Sequence, residues 1–156
     1  MLGIKDGKYI LFSDVHNATI KRRDLAIAIA EKLPDYELLI MCGVQPNNVP
    51  LYVNACDFVL LTSDEEGSPN IIREALSLNK PVFSMDVGDA SLQLKGLENS
   101  CIISRDPSEA AIVIRDYLSK KYVDNTRSNK EQQLNIVCCN QKIIEMYSDS
   151  ITKNDN

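Results

Sequence analysis

The sequence predicts an α/β domain with a Rossmann-like, doubly wound parallel sheet. Short apolar runs alternate with longer segments of helical periodicity, and turn residues bound the runs. Strands that alternate this regularly with helices are typical of a parallel sheet with helices on both faces. The length of 156 residues suits one domain with a real core and is too short for two full domains.

The first half of this pattern contains two strand–helix units. Tyr9 to Ser13 is the first strand candidate, and a helix follows from about Arg23 to Leu33, where a proline stops it. The segment Glu37 to Cys42, which is apolar after its first residue, predicts a buried strand. Pro50 to Ala55 then supplies one or two helical turns before the next strand.

The second half continues the alternation with better-marked helix starts. Ser68 and Pro69 follow the strand Phe58 to Leu61, and they predict a helix to about Leu78 with the serine hydroxyl as N-cap and the proline at the first helical position. The remaining elements are a strand from Pro81 to Met85, a strand from Cys101 to Ser104, and a helix to about Lys120 that opens on the capping sequence Asp106-Pro107-Ser108-Glu109.

A change in composition near residue 123 divides the chain. Residues 1–123 carry the predicted α/β domain, and residues 124–156 are assigned to a linker, a C-terminal helix and a tail. The linker is polar from Asp124 to Lys130, and an amphipathic pattern resumes from Gln133 to Tyr147. We expect the tail after Ser150 to fray.

Composition and charge exclude several classes of protein. A net charge of -5 offers no broad basic field for nucleic acid, and no apolar run approaches the length of a membrane span, although docking on a membrane surface stays open. The N-terminal residues lack the apolar core of a signal peptide. The odd number of cysteines and the single histidine argue against disulfides and a zinc cluster, so we expect a cytoplasmic protein.

The segment from Ser63 to Ala75 combines the features of a ligand site. It follows a buried strand and opens a helix, which is where an open α/β sheet binds ligands. Gly67 lets the backbone approach a ligand, and the free N–H groups of the first helical turn suit a diphosphate. The carboxylates of Glu66 and Glu74 suit the hydroxyls of a ribose or hexose, although a solvated helix glutamate is the simpler alternative.

The spacing of the two glutamates, with seven residues between them, resembles the E-x7-E motif of the retaining, metal-independent glycosyltransferases of GT-B architecture. The flanking segments are also similar to that family. They are VPLYVNACDFVLLTS at 49–63, NKPV at 79–82 and DVGD at 86–89. The resemblance extends over most of the chain and implies the C-terminal half of a GT-B fold, the half that binds the nucleotide sugar.

The resemblance also assigns roles to individual residues. It implies that Glu74 binds the nucleotide ribose and that Glu66 is the acidic, catalytic residue beside the transferred sugar. Lys21 corresponds to a lysine that neutralises the leaving phosphate. The diphosphate would also contact the segment that opens the helix, at Gly67, Ser68, Asn70 and Ile71.

The activity implied by the resemblance is transfer of a sugar from a UDP- or GDP-linked donor to a hydroxyl acceptor, without a metal or other cofactor. The acceptor domain is not found in this sequence, so an N-terminal-half polypeptide is an expected partner. The alternative is a non-catalytic module that binds a nucleotide sugar or another protein. A different nucleotide-utilising α/β protein is a third hypothesis, but the dinucleotide and P-loop glycine motifs are missing.

Three positions depart from the family pattern. The segment Ser13 to Asn17 lacks an arginine that the family often has before the lysine, so either one phosphate ligand is missing or His16 partly replaces it. Asn79 and Asp89 stand where many relatives have glycine. Both residue types tolerate turns and left-handed backbone, so neither change threatens the fold.

Overall fold

The computed structural model describes residues 7–14 and 19–120. Five strands and five α-helices alternate along this part of the chain, and two short 3-10 turns precede α1 and α2. In order, the elements are β1 Tyr9–Ser13, α1 Arg23–Ala30, β2 Glu37–Met41, α2 Val49–Ala55, β3 Phe58–Leu61, α3 Asn70–Ser77, β4 Val82–Ser84, α4 Ala90–Leu94, β5 Cys101–Ile102 and α5 Pro107–Ser119.

All four strand pairings are parallel, and the order across the sheet is β2-β1-β3-β4-β5. Helix α1 packs against α5, whereas α3 contacts both α2 and α4. Because right-handed crossovers place helices on opposite faces when the strand order reverses, these two groups cover the two sides of the sheet. The predicted doubly wound α/β fold is therefore confirmed.

The core is centred on the two middle strands. All residues of β1 and β3 are buried, while β2 at the edge is partly exposed. Phe58 and Phe83 meet edge to face on neighbouring strands, with ring centroids 5.2 Å apart. This apolar centre fixes the strand ends from which the polar loops emerge.

Several element boundaries differ from the sequence prediction. Helix α1 ends at Ala30, because the following residues form tighter turns in which Leu33 N–H donates to the Ala30 carbonyl. Strand β4 is shorter than predicted at both ends, and β5 is shorter than predicted at its C-terminal end. Helix α4 was not predicted. The α5 cap is as expected, since the Asp106 carboxylate accepts from the backbone N–H groups of Ser108 and Glu109. The predicted linker, helix and tail at 124–156 lie outside the described residues.

Candidate functional site

The strand order places a switch point between β1 and β3. Strand β2 lies on one side of β1 in the sheet, whereas β3, β4 and β5 lie on its other side. Loops that follow these two strands therefore diverge at the carboxyl edge of the sheet, which is the usual ligand position in open α/β sheets. Lys21 lies in the connection after β1, and the segment from Thr62 to Pro69 follows β3.

Hydrogen bonds fasten these two connections to each other. The Thr62 hydroxyl contacts the carbonyl oxygens of Lys21 and Arg22 at 2.9 and 3.0 Å. The backbone N–H of Asp64 donates to the Ile20 carbonyl at 2.8 Å. The turn that carries Lys21 is thus held against the end of β3.

Lys21 and Glu66 form an ion pair across this junction. Lys21 Nζ lies 2.6 Å from Glu66 Oε1, and the Ser63 hydroxyl donates to the same oxygen at 2.6 Å. The two charged side chains are only 20% and 14% exposed. The structure therefore brings together Lys21 and Glu66, which the family resemblance assigned to the phosphate and to the sugar, and it adds Ser63, for which no role was predicted.

The predicted serine cap of α3 is wrong. The helix begins at Asn70, Pro69 takes the N-cap position with an extended backbone, and no side chain caps the helix. The Ser68 hydroxyl donates instead to Asp89 Oδ2 at 2.7 Å and accepts from Arg73 Nη1 at 2.7 Å. These tertiary contacts hold the Ser68 hydroxyl away from the helix start, although the local sequence favours it there as a cap.

This arrangement leaves backbone donors at the start of α3 open. Among the described residues, no acceptor is hydrogen bonded to the backbone N–H of Gly67, Ser68, Asn70 or Ile71. The position that a Cβ would take at Gly67 is open space, with no protein atom within 4 Å. Unpaired N–H groups on both sides of Pro69, at the start of a helix, form an arrangement suited to an anion.

The turn before α4 packs against the loop that follows β3. A Cβ added at Gly88 would lie 2.1 Å from the Gly67 carbonyl oxygen and 2.6 Å from that of Glu66, and Gly88 also has a φ of +54°. The Asp89 N–H donates to the Gly67 carbonyl at 3.1 Å. The glycine in the segment DVGD is therefore required by a close approach of two loops, a contact that the sequence pattern does not specify.

Glu74 lies one turn into α3 and is half-buried. Burial raises the pKa of its carboxyl group above the ordinary value, and the neighbouring Arg73 opposes this rise. Within the described residues, its side chain makes no hydrogen bond or ion pair. In this part of the chain, no hydrogen bond or ion pair joins Glu74 to the Lys21–Glu66 pair.

The other two basic residues beside Lys21 have carboxylate partners within the domain. Arg22 binds Asp24 and also reaches Asp64 at 3.2 Å, which raises the pKa of its guanidinium. Arg23 Nε donates to Asp14 Oδ2 at 2.6 Å. These ion pairs within the domain account for Arg22 and Arg23 as structural residues. Lys21 differs, because its partner, Glu66, is itself a predicted site residue. His16 lies outside the described residues.

The described residues contain neither a metal-binding cluster nor a membrane-spanning helix. Residues 7–14 and 19–120 hold no group of three or more histidine, cysteine, aspartate or glutamate side chains placed to bind a metal ion. None of the helices in these ranges has the length and apolar character needed to cross a bilayer.

The parallel sheet and the polar loops at its switch point define a Rossmann-like domain. The family model for glycosyl transferases of group 1 matches residues 16–120, well over half of the sequence. The chain belongs to this glycosyltransferase family. No protein of curated function matches the sequence significantly.

Solved structures with the same fold include two of HepE from Anabaena. One, in complex with UDP and glucose, is 20% identical with a TM-score of 0.70 over 94% of this chain and 50% of that one. The other, with UDP-glucose, is 19% identical with a TM-score of 0.67 over 92% and 49%. Sucrose-phosphate synthase from Thermosynechococcus elongatus is 16% identical with a TM-score of 0.62 over 74% and 37%. The chain thus spans half or less of the length of these proteins.

Proposed function

We propose that this chain is the donor-binding half of a retaining, metal-independent glycosyltransferase that passes a sugar from a nucleoside diphosphate to a hydroxyl acceptor. The observation that carries the proposal is the row of unpaired N–H groups from Gly67 to Ile71 next to the Lys21–Glu66 pair. Family membership supports the interpretation of these groups as a donor site, because the donor of such an enzyme carries a diphosphate beside a sugar.

The diphosphate occupies the start of α3 in this proposal. The N–H groups of Gly67, Ser68, Asn70 and Ile71 donate to its oxygens, and the helix dipole favours its negative charge. Lys21 adds a full positive charge at the same edge of the sheet. Charge that develops on the departing diphosphate is stabilised by these fixed groups, which gives a physical basis for catalysis without a metal.

Glu66 lies where the transferred sugar would follow the diphosphate. Its Oε1 atom is engaged by Lys21 and Ser63, while Oε2 has no partner among the described residues and is open to a sugar hydroxyl. A bound phosphate competes with Glu66 for the lysine ammonium. Lys21 thus links the occupancy of the phosphate position to the position of Glu66.

Glu74 binds the ribose through its carboxylate in this proposal. Its lack of a hydrogen-bonding partner in the described part of the domain leaves both oxygens available for two vicinal hydroxyls. The base is uracil or guanine. The complexes of HepE with UDP and with UDP-glucose favour uracil as the first base to test.

An N-terminal-half polypeptide supplies the acceptor site in this proposal, since the chain covers about half of HepE. The unpaired thiols of Cys42, Cys56 and Cys101 favour a reducing compartment such as the cytoplasm. The proposal also includes peripheral association with a membrane and catalysis without a cofactor.

The test is calorimetric titration with UDP, GDP and uridine. Lys21→Ala should weaken UDP binding roughly tenfold to a hundredfold, because a charge-assisted hydrogen bond to phosphate is lost, and should leave uridine binding unchanged. Lys95→Ala, which removes an exposed lysine just after α4, is the matched control and should bind UDP like the wild type. Equal losses for UDP and uridine would show that Lys21 does not contact the diphosphate.

A further inference from the structure

The hydroxyl of Ser68 has two competing positions. The pair Ser68-Pro69 favours a capped helix start, in which the hydroxyl accepts from the N–H of Asn70 or Ile71 and the proline joins the helix. In the structure the hydroxyl lies against Asp89 and Arg73, and α3 starts without a side-chain cap. The capped position would occupy the N–H donors that the proposed diphosphate site needs.

Asp89 is the residue best placed to decide between these positions. It accepts the Ser68 hydroxyl on Oδ2, and its Oδ1 is held by Gln93 Nε2 at 2.6 Å. Gln93 is buried, and the Asp89 N–H is bonded to the Gly67 carbonyl. The Asp89 carboxylate, which accepts the hydrogen bond from Ser68, is therefore held in place by contacts of its own side chain and main chain. Arg73 supports the same position from the other side of the hydroxyl.

We propose that Asp89 is a positioning residue of the diphosphate site. It holds the Ser68 hydroxyl away from the start of α3 and so keeps the N–H groups of Asn70 and Ile71 open for phosphate. The inference rests on the proposed function and adds to it a residue that acts through Ser68 and does not itself touch the ligand.

Charge alone leads to the opposite expectation. Asp89 is a carboxylate next to a proposed anion site, so simple electrostatics predicts that its removal strengthens nucleotide binding. The positioning role predicts that Asp89→Ala weakens binding, because the released hydroxyl caps the helix. Asp89→Asn removes the charge and keeps an oxygen acceptor for Ser68, so it should bind UDP as well as the wild type or better.

The experiment is calorimetry with UDP on wild type, Asp89→Ala, Asp89→Asn, Ser68→Ala and the Ser68→Ala/Asp89→Ala double variant. Asp89→Ala should bind roughly fivefold to tenfold more weakly, the strength of an ordinary N-cap. The double variant has no hydroxyl to cap the helix, so it should bind as Ser68→Ala does. Equal or tighter binding by Asp89→Ala overturns the inference, as does a double variant weakened as much as Asp89→Ala.

Amide hydrogen exchange at Asn70 and Ile71 gives a readout that needs no ligand. Exchange at one or both should slow in Asp89→Ala and should not slow in the double variant. Unchanged exchange in Asp89→Ala overturns the inference whatever the nucleotide data show. Slowed exchange in a protein whose wild type does not bind UDP or GDP supports the helix-capping step and refutes the proposed function.

Discussion

Glu74 illustrates how a proposed site residue can oppose stability. Burial disfavours its charged form, and this raises its pKa above the ordinary value of 4.5. A carboxyl group whose pKa is raised in the folded state lowers the stability of the fold once it ionises. The destabilisation is fully present above the folded pKa and disappears as pH falls to the unfolded value.

Glu74→Gln should therefore raise the melting temperature at neutral pH. The difference from wild type should shrink as pH falls through the folded pKa and vanish below about 4, near the ordinary range for glutamate. The same variant should bind UDP roughly fivefold to tenfold more weakly, since the charged partner of the ribose hydroxyls is lost. Thermal melts across pH and calorimetry at neutral pH measure the two effects. A gain in stability without a loss of affinity would remove Glu74 from the site.

The thiols of Cys42 and Cys56 should differ strongly in reactivity. Burial raises the pKa of the Cys56 thiol to about 12, while Cys42 is exposed. Because the thiolate is the reactive form, iodoacetamide at pH 8 should modify Cys42 quickly and leave Cys56 nearly untouched in the folded protein. Peptide mapping by mass spectrometry separates the sites, and denatured protein is the control. Equal labelling rates in the folded state would contradict the described packing around Cys56.

At the scale of elements, the site depends on two loops that come into close contact. The loop after β3 carries the open N–H groups, and the turn before α4 lies directly behind it at Gly88. Gly67 and Gly88 are close neighbours in space, yet they meet different demands. Gly88 is closely packed by protein atoms, whereas the space beside Gly67 is open.

These two glycines form a matched pair for mutation. Gly88→Ala should destabilise the protein by about 1–3 kcal/mol, because its Cβ overlaps the Gly67 carbonyl and its φ is unfavourable for alanine. Gly67→Ala should change the free energy of unfolding by only about 0.5 kcal/mol or less. Denaturant unfolding measures both values.

Nucleotide affinity gives the pair its functional readout. If the Gly67 backbone approaches the diphosphate, Gly67→Ala should weaken UDP binding while leaving stability intact. An unchanged affinity for UDP in this variant would show that no ligand approaches Gly67, and the proposed diphosphate position would have to move along the loop.

At the scale of the whole molecule, the proposed donor site is one side of an active site. In a two-domain transferase the other domain supplies the acceptor, and closure aligns the reacting atoms and excludes water. This chain matches about half of HepE. Under the proposed function, much of the positioning that speeds transfer comes from the acceptor domain of an N-terminal-half polypeptide.

We therefore expect the purified chain to bind nucleotide without measurable sugar transfer, and at most to hydrolyse the donor slowly. The measurement is incubation with radiolabelled nucleotide sugars and a panel of hydroxyl acceptors, first alone and then with a candidate N-terminal-half polypeptide. Transfer that appears only in the mixture supports the proposed division of roles. Efficient transfer by the chain alone would show that no second domain is needed, and binding without transfer in any mixture would favour the non-catalytic alternative.

The order and type of most elements follow from the amino-acid pattern alone. The apolar runs at Tyr9–Ser13 and Phe58–Leu61 are continuous because both faces of those strands are covered, so their short length and flanking turn residues identify them. The sequence also identified the family, and the roles that the resemblance implies for Glu66 and Glu74 stay predictions. Helix α4 escaped prediction because five residues are too few for a clear periodic signal.

The construction of the candidate site depends on contacts that form only in the folded domain. Ser68-Pro69 favours a capped helix in isolation, but Asp89, which is 21 residues away in sequence, takes the hydroxyl and leaves the helix start open. Likewise, Lys21 and Glu66 are 45 residues apart and meet because the sheet order reverses between β1 and β3. Local propensity is a property of neighbouring residues, whereas these contacts depend on which strands lie side by side.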